Sequence, residues 1–325
     1  MSESGKEVSA SSEPHWERSV LEKLAFESLK EQRRRRRWGI FFKLLGFAYA
    51  GVVVAMIWGA GHHDKDGKTV AGGGRHTALV ELEGAIGAGG QASAEVINSA
   101  LNDAFADAGT AGVILHINSP GGSPVQSGII NDEIGRLRKL HPNIPLYVVV
   151  EDICASGGYY IAAAADKIFV DKASIVGSIG VRMDGFGFTE LMQKVGVERR
   201  SLTAGKNKAF LDPFLPQSPE QVEFAHAMLD EIHQQFIDVV RKGRGKRLKE
   251  TPDMFSGLFW SGAKSIELGL ADGYGTVDSV ARDVIKAEDV RDFTQHENFA
   301  ERVAKRFGAS VMAGFGSDLN AVHWR

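Results

Sequence analysis

Residues 146–165 read LYVVVEDICASGGYYIAAAA and place Ser156 between a strand-like run and a helix-like run. Residues 146–150 are continuously apolar, which is typical of a strand covered on both faces. Residues 157–165 are rich in alanine and favour a helix. A serine at such a junction exposes its hydroxyl near the positive end of the helix dipole. Two interpretations stay open, a reactive nucleophile and a plain helix cap, which is a frequent role of serine.

The alternation of strand-like and helix-like runs extends in both directions from this stretch. Strand-like runs occupy residues 77–83, 112–118, 146–150 and 167–170, and helix-like runs occupy residues 93–108, 128–140 and 218–242. Ser218 precedes Pro219 and lies three residues before Gln221, which predicts a capping box at the start of the last helix. The alternation predicts an α/β fold with largely parallel strands.

The bulk composition is that of a folded protein without a strong charge bias. The 325 residues are 43% hydrophobic and carry a formal net charge of −3. This leaves room for a substantial core and gives no global sign of nucleic-acid binding. Cys154 is the single cysteine, so an intramolecular disulfide is excluded.

An apolar run at residues 38–60 contains one charge, Lys43, and is long enough to cross a bilayer as a helix. Arginines at 33–37 precede it, so we expect the N-terminus in the cytoplasm and the globular part on the outer side. A buried core helix and a cleaved signal peptide are the alternatives. The predicted organisation is a basic cytoplasmic segment at 1–37, a transmembrane helix at 38–60, a linker at 61–76, a globular domain at 77–290 and a C-terminal tail at 291–325.

Two more glycine-bearing turns follow strand-like runs. Residues 118–122 read NSPGG, and Gly121 and Gly122 would let backbone N–H groups approach an oxyanion, although Ser-Pro-Gly-Gly is also ordinary turn chemistry. Residues 176–181 read VGSIGV and contain Ser178, which either packs closely or places a second hydroxyl beside the site.

A nucleophilic serine needs a base to take its proton. No histidine between residues 77 and 290 has a sequence context that suggests this role. Residues 203–214 read TAGKNKAFLDPF and carry Lys206 and Lys208 into an apolar patch. A lysine buried in such a patch has a lowered pKa and can act as a base. The apolar side chains of the patch are Phe210, Leu211 and Phe214.

Four stretches in this order resemble the signal peptide peptidase SppA family, including its SohB-type relatives: NSPGG (118–122), ASGGYY (155–160), GSIGV (177–181) and AGKNKAFLDPF (204–214). The resemblance covers residues 77–290. It implies a ClpP/crotonase-like fold, built as a spiral of ββα units, and a serine peptidase that needs no metal or cofactor. It also implies a homo-oligomer shaped as a ring or dome.

The same resemblance assigns roles to individual residues. It makes Ser156 the nucleophile and Lys208 the general base, with Lys206 as the alternative, Ser178 the residue that orients the lysine, and Gly121 and Gly122 the oxyanion hole. The implied substrates are cleaved signal peptides and other apolar, extended peptides at the outer face of the bacterial cytoplasmic membrane. The implied partners are therefore peptides and the lipid bilayer, without nucleic acid. The dyad lies within one subunit or is shared between two.

Three other functions compete with this expectation. A crotonase-type acyl-CoA enzyme would share the fold and the oxyanion glycines but would need neither a membrane anchor nor a Ser/Lys pair. A non-catalytic, peptide-binding membrane scaffold would not need Ser156 and Lys208 intact. A ClpP-like Ser-His-Asp peptidase would require a histidine beside Ser156. We therefore expect a membrane-anchored serine endopeptidase that acts through an acyl-enzyme.

Overall fold

The computed structural model describes residues 36–49, residue 51 and residues 74–295. These residues belong to two compact units, one containing 36–51 and the other containing 74–295. In the first unit, residues 36–49 and 51 are helical. No helix within the described ranges is both long and apolar enough to cross a membrane. Part of the predicted span, residues 50 and 52–60, lies outside the described residues, as do 1–35, most of the linker and 296–325.

The second unit is built on one eight-stranded sheet, which confirms the predicted α/β fold. Its strands are β1 (His76–Glu83), β2 (Thr110–Ser119), β3 (Leu146–Ala155), β4 (Lys167–Val170), β5 (Ile175–Gly177), β6 (Phe259–Ser261), β7 (Gly273–Tyr274) and β8 (Val290–Asp292). The main path runs β6-β5-β3-β2-β1-β8, and β4 joins β3 to β7. Every pair is parallel except β5 with β6.

Helices connect the strands and cover the sheet, as parallel pairing requires. They are α1 (Ala94–Ala106), α2 (Pro124–Leu140), α3 (Gly157–Ala162), α4 (Thr189–Val195), α5 (Pro219–Arg244), α6 (Gly262–Glu267) and α7 (Val277–Ser279), and a π-helical turn follows at Val280–Ile285. On one face, α1 and α2 bury alternate residues of β1, β2 and β3. On the other face, the π-helical turn covers a smaller cluster around Ile114 and Val149.

Strand β3 changes its partner halfway along. Its first half pairs with β4 at Tyr147–Val149, and its second half pairs with β5 at Ile153–Ala155. At the fork between them, the buried Ser174 hydroxyl donates a hydrogen bond of 2.6 Å to the Glu151 carbonyl. Because β5 supplies new partners, the strand extends five residues beyond its predicted end and stops directly before Ser156.

The start of α5 differs in one detail from the prediction. Pro219 occupies the first turn as expected, but the Ser218 side chain makes no capping hydrogen bond. The predicted capping box is therefore wrong. Its other member, Gln221, uses Oε1 to accept a bond of 3.2 Å from the Leu211 N–H, which ties the preceding loop to the helix.

Candidate active site

Ser156 lies at the turn between β3 and α3 in a backbone conformation that serine rarely adopts. Its φ and ψ are 51° and −122°, and its side chain makes no capping hydrogen bond to α3. Non-glycine residues at such angles cost about 1–3 kcal/mol and persist only when the surroundings hold them. Here the Ser156 N–H donates to the Gly177 carbonyl at 2.8 Å. The hydroxyl is thus presented by a strained turn and is not used as a helix cap.

The Gly121–Gly122 turn packs directly against this serine. The φ angles of the two glycines are 99° and 152°. A Cβ on Gly121 would lie 2.7 Å from the Ser156 Cβ, and a Cβ on Gly122 would lie 2.0 Å from the Ile86 carbonyl oxygen. Only glycine allows both approaches, which explains the pair that the sequence singled out.

The backbone donors of this region divide into used and unused groups. The Gly121 N–H donates to the Ser119 hydroxyl oxygen at 3.1 Å, so of the two glycines predicted for the oxyanion hole only Gly122 has an unused N–H among the described residues. The N–H groups of Gly122 and Gly157 donate to no acceptor among the described residues. These two are close to each other, since a Cβ on Gly157 would lie 3.3 Å from the Gly122 nitrogen. Two unused donors beside a strained serine have the arrangement that stabilises a tetrahedral oxyanion.

Ser119 is a supporting residue that the sequence reasoning missed. It is fully buried, and its hydroxyl donates to the Gly84 carbonyl at 2.6 Å while accepting from Gly121. This bonding ties the glycine turn to the end of β1. Ser-Pro-Gly-Gly indicates a turn, but nothing in this pattern indicates that the serine hydroxyl accepts the Gly121 N–H and donates to Gly84.

Ser178 lies on the neighbouring turn, directly after β5. Its φ is 52°, so it is a second strained serine, and its N–H donates to the Leu258 carbonyl at 2.8 Å. Because Gly177 accepts from the Ser156 N–H, the two serine turns are joined by one hydrogen bond. The structure therefore brings Ser156, Ser178 and both predicted glycines together.

These residues open into a cleft of about 850 Å³. Its polar side holds Ser156, Ser178 and the glycine turn, and its apolar side is formed mainly by Pro120, Pro124, Val181, Ile232 and Phe236. Tyr160 also lines the cleft. The pKa of its phenol is raised mainly by burial and, to a smaller extent, by the negative charge of Asp132. That phenol is uncharged at neutral pH, so this side suits an apolar, extended ligand. The contribution of α5 to the wall was not predicted.

Lys208 is not among the residues that line this cleft. It lies on an exposed loop. The residues that follow it contact the first turns of α5: the Phe210 ring lies 5.7 Å from the Phe224 ring, and the Leu211 N–H donates to the Gln221 side chain. The lysine side chain is itself exposed, so the desolvation considered from the sequence is absent from the single chain. Lys206 is exposed too and pairs with Glu220 at 3.3 Å. The choice of base stays a prediction.

The cleft is lined by no histidine of the described residues, which bears on the alternative of a Ser-His-Asp triad. His233 comes near from α5, but its Nε2 lies 3.2 Å from the Ile179 carbonyl oxygen, to which it is hydrogen-bonded. The described part of the chain thus offers no histidine partner for Ser156 that would support a Ser-His-Asp triad.

Comparisons with known proteins point to one family. Residues 138–291 match the model of peptidase family S49. A putative protease of Methanocaldococcus jannaschii is 33% identical over 216 residues, which cover 66% of this chain and 68% of that protein. A putative signal peptide peptidase SppA of Enterococcus faecium is 32% identical over 188 residues, 58% of this chain and 54% of that protein.

Higher identity occurs with part of two larger proteins. Proteins of Brucella abortus and Brucella melitensis, both named Na⁺/H⁺ antiporter NhaA, are 48% identical over 209 residues. These residues are 63% of this chain, which spans only 28% of each Brucella protein. The resemblance to the SppA family is confirmed: the chain belongs to peptidase family S49, and its mixed, largely parallel α/β sheet fits the ClpP-like fold of that family.

Proposed function

We propose that this chain is a membrane-anchored serine endopeptidase that degrades cleaved signal peptides and other apolar, extended peptides. The observation that carries the proposal is the strained Ser156 turn, which faces a cleft with an apolar wall beside two unused backbone N–H groups. Membership of a peptidase family supports the same reaction class. The spiral arrangement of ββα units belongs to this proposal as well.

The reaction proceeds by acyl transfer. The Ser156 Oγ attacks the peptide carbonyl carbon while its proton passes to a lysine Nζ, and the carbonyl oxygen becomes negative facing the N–H groups of Gly122 and Gly157. Collapse breaks the C–N bond, and the leaving amine takes the proton from the lysine. Water then hydrolyses the serine ester with the same lysine as base, which regenerates the hydroxyl.

We assign the base to Lys208 of a neighbouring copy in a homo-oligomer. A lysine is a base only when it is unprotonated, which requires burial, and this side chain is exposed in the single chain. Residues 182–217, here called the arm, hold Lys208 together with large apolar side chains that are also exposed: Met183, Phe186, Phe188, Leu191, Val195, Val197, Leu202 and Phe214. Such a surface favours a protein contact. Packing of the arm against another copy would bury the lysine.

The location is part of the proposal. We place the N-terminus in the cytoplasm, a single span at residues 38–60 in the cytoplasmic membrane, and the peptidase unit on its outer side. The support is the length and apolarity of that run together with the arginines that precede it. An anchored cleft would meet apolar peptides where they leave the bilayer.

The test uses the 325-residue chain in detergent with a fluorogenic, unfolded protein substrate. We expect hydrolysis by the unmodified chain and its loss in Ser156→Ala and in Lys208→Ala. Lys206→Ala is the matched control, because that lysine lies two residues away and pairs with Glu220. Full activity of Lys208→Ala would contradict the assignment of the base.

A mixing experiment distinguishes a shared site from one within a subunit. Co-assembly of Ser156→Ala with Lys208→Ala should restore activity at about a quarter of the sites when serine and lysine come from different copies. Two inactive variants that stay inactive together would place the dyad within one chain.

Peptide binding by an unmodified chain without hydrolysis would favour the scaffold, and turnover of an acyl-CoA would favour the crotonase-type enzyme.

A further inference from the structure

The turn that carries Ser178 must be held in place by its neighbours. Gly177 and Ser178 both have positive φ, 110° and 52°. A serine keeps such backbone angles only when contacts with its surroundings hold it in place. The contacts of residues 177–180 therefore decide where the Ser178 hydroxyl lies in the cleft.

One of these contacts comes from a side chain. The Ile179 carbonyl accepts the Gly257 N–H at 3.1 Å and lies 3.2 Å from the Nε2 of His233. A carbonyl oxygen only accepts, so the imidazole must carry a proton on Nε2 and donate it. Both lone pairs of this carbonyl are then used. No other side chain of the described residues forms a hydrogen bond with residues 177–180.

His233 also connects the turn to the opposite wall of the cleft. It lies on α5 and is half-buried, and its helical neighbours Ile232, Gln235 and Phe236 line the cleft. The same helix thus forms part of the wall and holds the strained serine turn. A change at His233 would act on Ser178 without removing any group that lines the cleft.

We propose that His233 is a positioning residue of the peptidase site. Its hydrogen bond to Ile179 holds the Ser178 hydroxyl where that hydroxyl orients the lysine amine that takes the proton of Ser156. The inference rests on the proposed function, in which Ser178 has that role. His233 is not a catalytic residue, because its bond is made to a backbone carbonyl and not to Ser156.

Substitutions can separate the hydrogen bond from the bulk of the side chain. His233→Leu removes the donor, and His233→Gln places an amide N–H close to the position of Nε2. Loss of one neutral hydrogen bond predicts that kcat of His233→Leu falls about 3- to 10-fold while KM stays within about twofold. The glutamine variant should recover about half or more of the lost kcat. His226→Leu is the matched control on the same helix, since His226 is exposed and has no hydrogen-bond partner among the described residues, and it should leave kcat unchanged.

A double-mutant comparison tests whether the effect passes through Ser178. In the 325-residue chain carrying Ser178→Ala, His233→Leu should cause no further loss of kcat or of the rate at which a fluorophosphonate labels Ser156. An equal loss in both backgrounds would indicate a merely structural role and overturn the inference. An unaffected kcat in His233→Leu would overturn it as well. An unmodified chain without hydrolysis would instead refute the proposed function, so the two failures are distinguishable.

Discussion

Replacing Gly121 by alanine would insert a methyl group at the closest contact between the glycine turn and the reactive serine. The new Cβ would lie 2.7 Å from the Ser156 Cβ, 2.7 Å from the Gly157 nitrogen and 2.8 Å from the Ala155 oxygen. Ordinary contacts between carbon atoms are about 3.5–4.0 Å, so the two turns must separate by about 1 Å. The residue would also keep a φ of 99°, at a cost of about 1–3 kcal/mol.

This displacement predicts a large loss of rate beyond the loss of stability. A misplacement of about 1 Å costs about 100-fold in rate, and it acts here on both the nucleophile and the oxyanion donors. The assay compares kcat/KM of Gly121→Ala and the unmodified chain on a fluorogenic, unfolded substrate. Denaturant unfolding of the same samples gives the folded fraction by which the rates are corrected.

The matched control is Gly128→Ala, seven residues further along the chain. A Cβ on Gly128 would meet nothing within 4 Å, and this glycine lies inside α2. Alanine should leave activity unchanged and stabilise the fold by about 0.5–1 kcal/mol. A folded Gly121→Ala variant that keeps kcat/KM within about threefold of the unmodified chain would refute the close packing of the two turns.

Three further outcomes follow from buried polar contacts. Asp272→Asn should lower the free energy of unfolding by about 3–5 kcal/mol in denaturant titrations, because the fully buried Arg244 loses the carboxylate that it contacts at 2.8 Å. Burial raises the pKa of Asp272, but the hydrogen bond and charge of Arg244, the Ile168 N–H and the charge of Arg247 together hold the pKa below its usual value. The stabilisation should therefore be present above about pH 4 and be lost as the pH falls through the native pKa, and this dependence on pH should be absent in Asp272→Asn. Ser119→Ala should lower kcat about 3- to 10-fold with little change in KM, because the Gly121 N–H loses its acceptor, and unchanged kinetics would show that the turn holds without it.

Much of the fold was predictable from local patterns. The continuous apolar runs identified most of β2 and the first half of β3, since a parallel sheet buries both faces of its inner strands. The second half of β3 was missed because Glu151 and Asp152 interrupt the run. There the strand is stabilised by pairing with β5, a contact between distant residues that local polarity does not reveal.

The site was predictable where a turn needs a particular residue type. Gly121 and Gly122 were recognisable because only glycine allows their backbone angles and their close approach. The role of His233 was not, since a histidine on an amphipathic helix gives no sign of the carbonyl it will meet 54 residues earlier in the chain. Lys208 was assigned by resemblance, and its exposure could not be foreseen because its loop looks apolar in sequence.

The fork in β3 has a mechanical consequence. The half of the strand that leads into Ser156 is paired on its outer side with β5, which in turn pairs with β6, whereas the other half is paired with β4. A displacement of β6 would therefore reach the serine through the pairing of Ile153–Ala155 with β5. The Tyr147–Val149 half is paired with β4 and lies outside this path. The reactive end of the strand is thus positioned by two pairings of its own, with β5 on one side and, through Cys154 opposite Ser119, with β2 on the other.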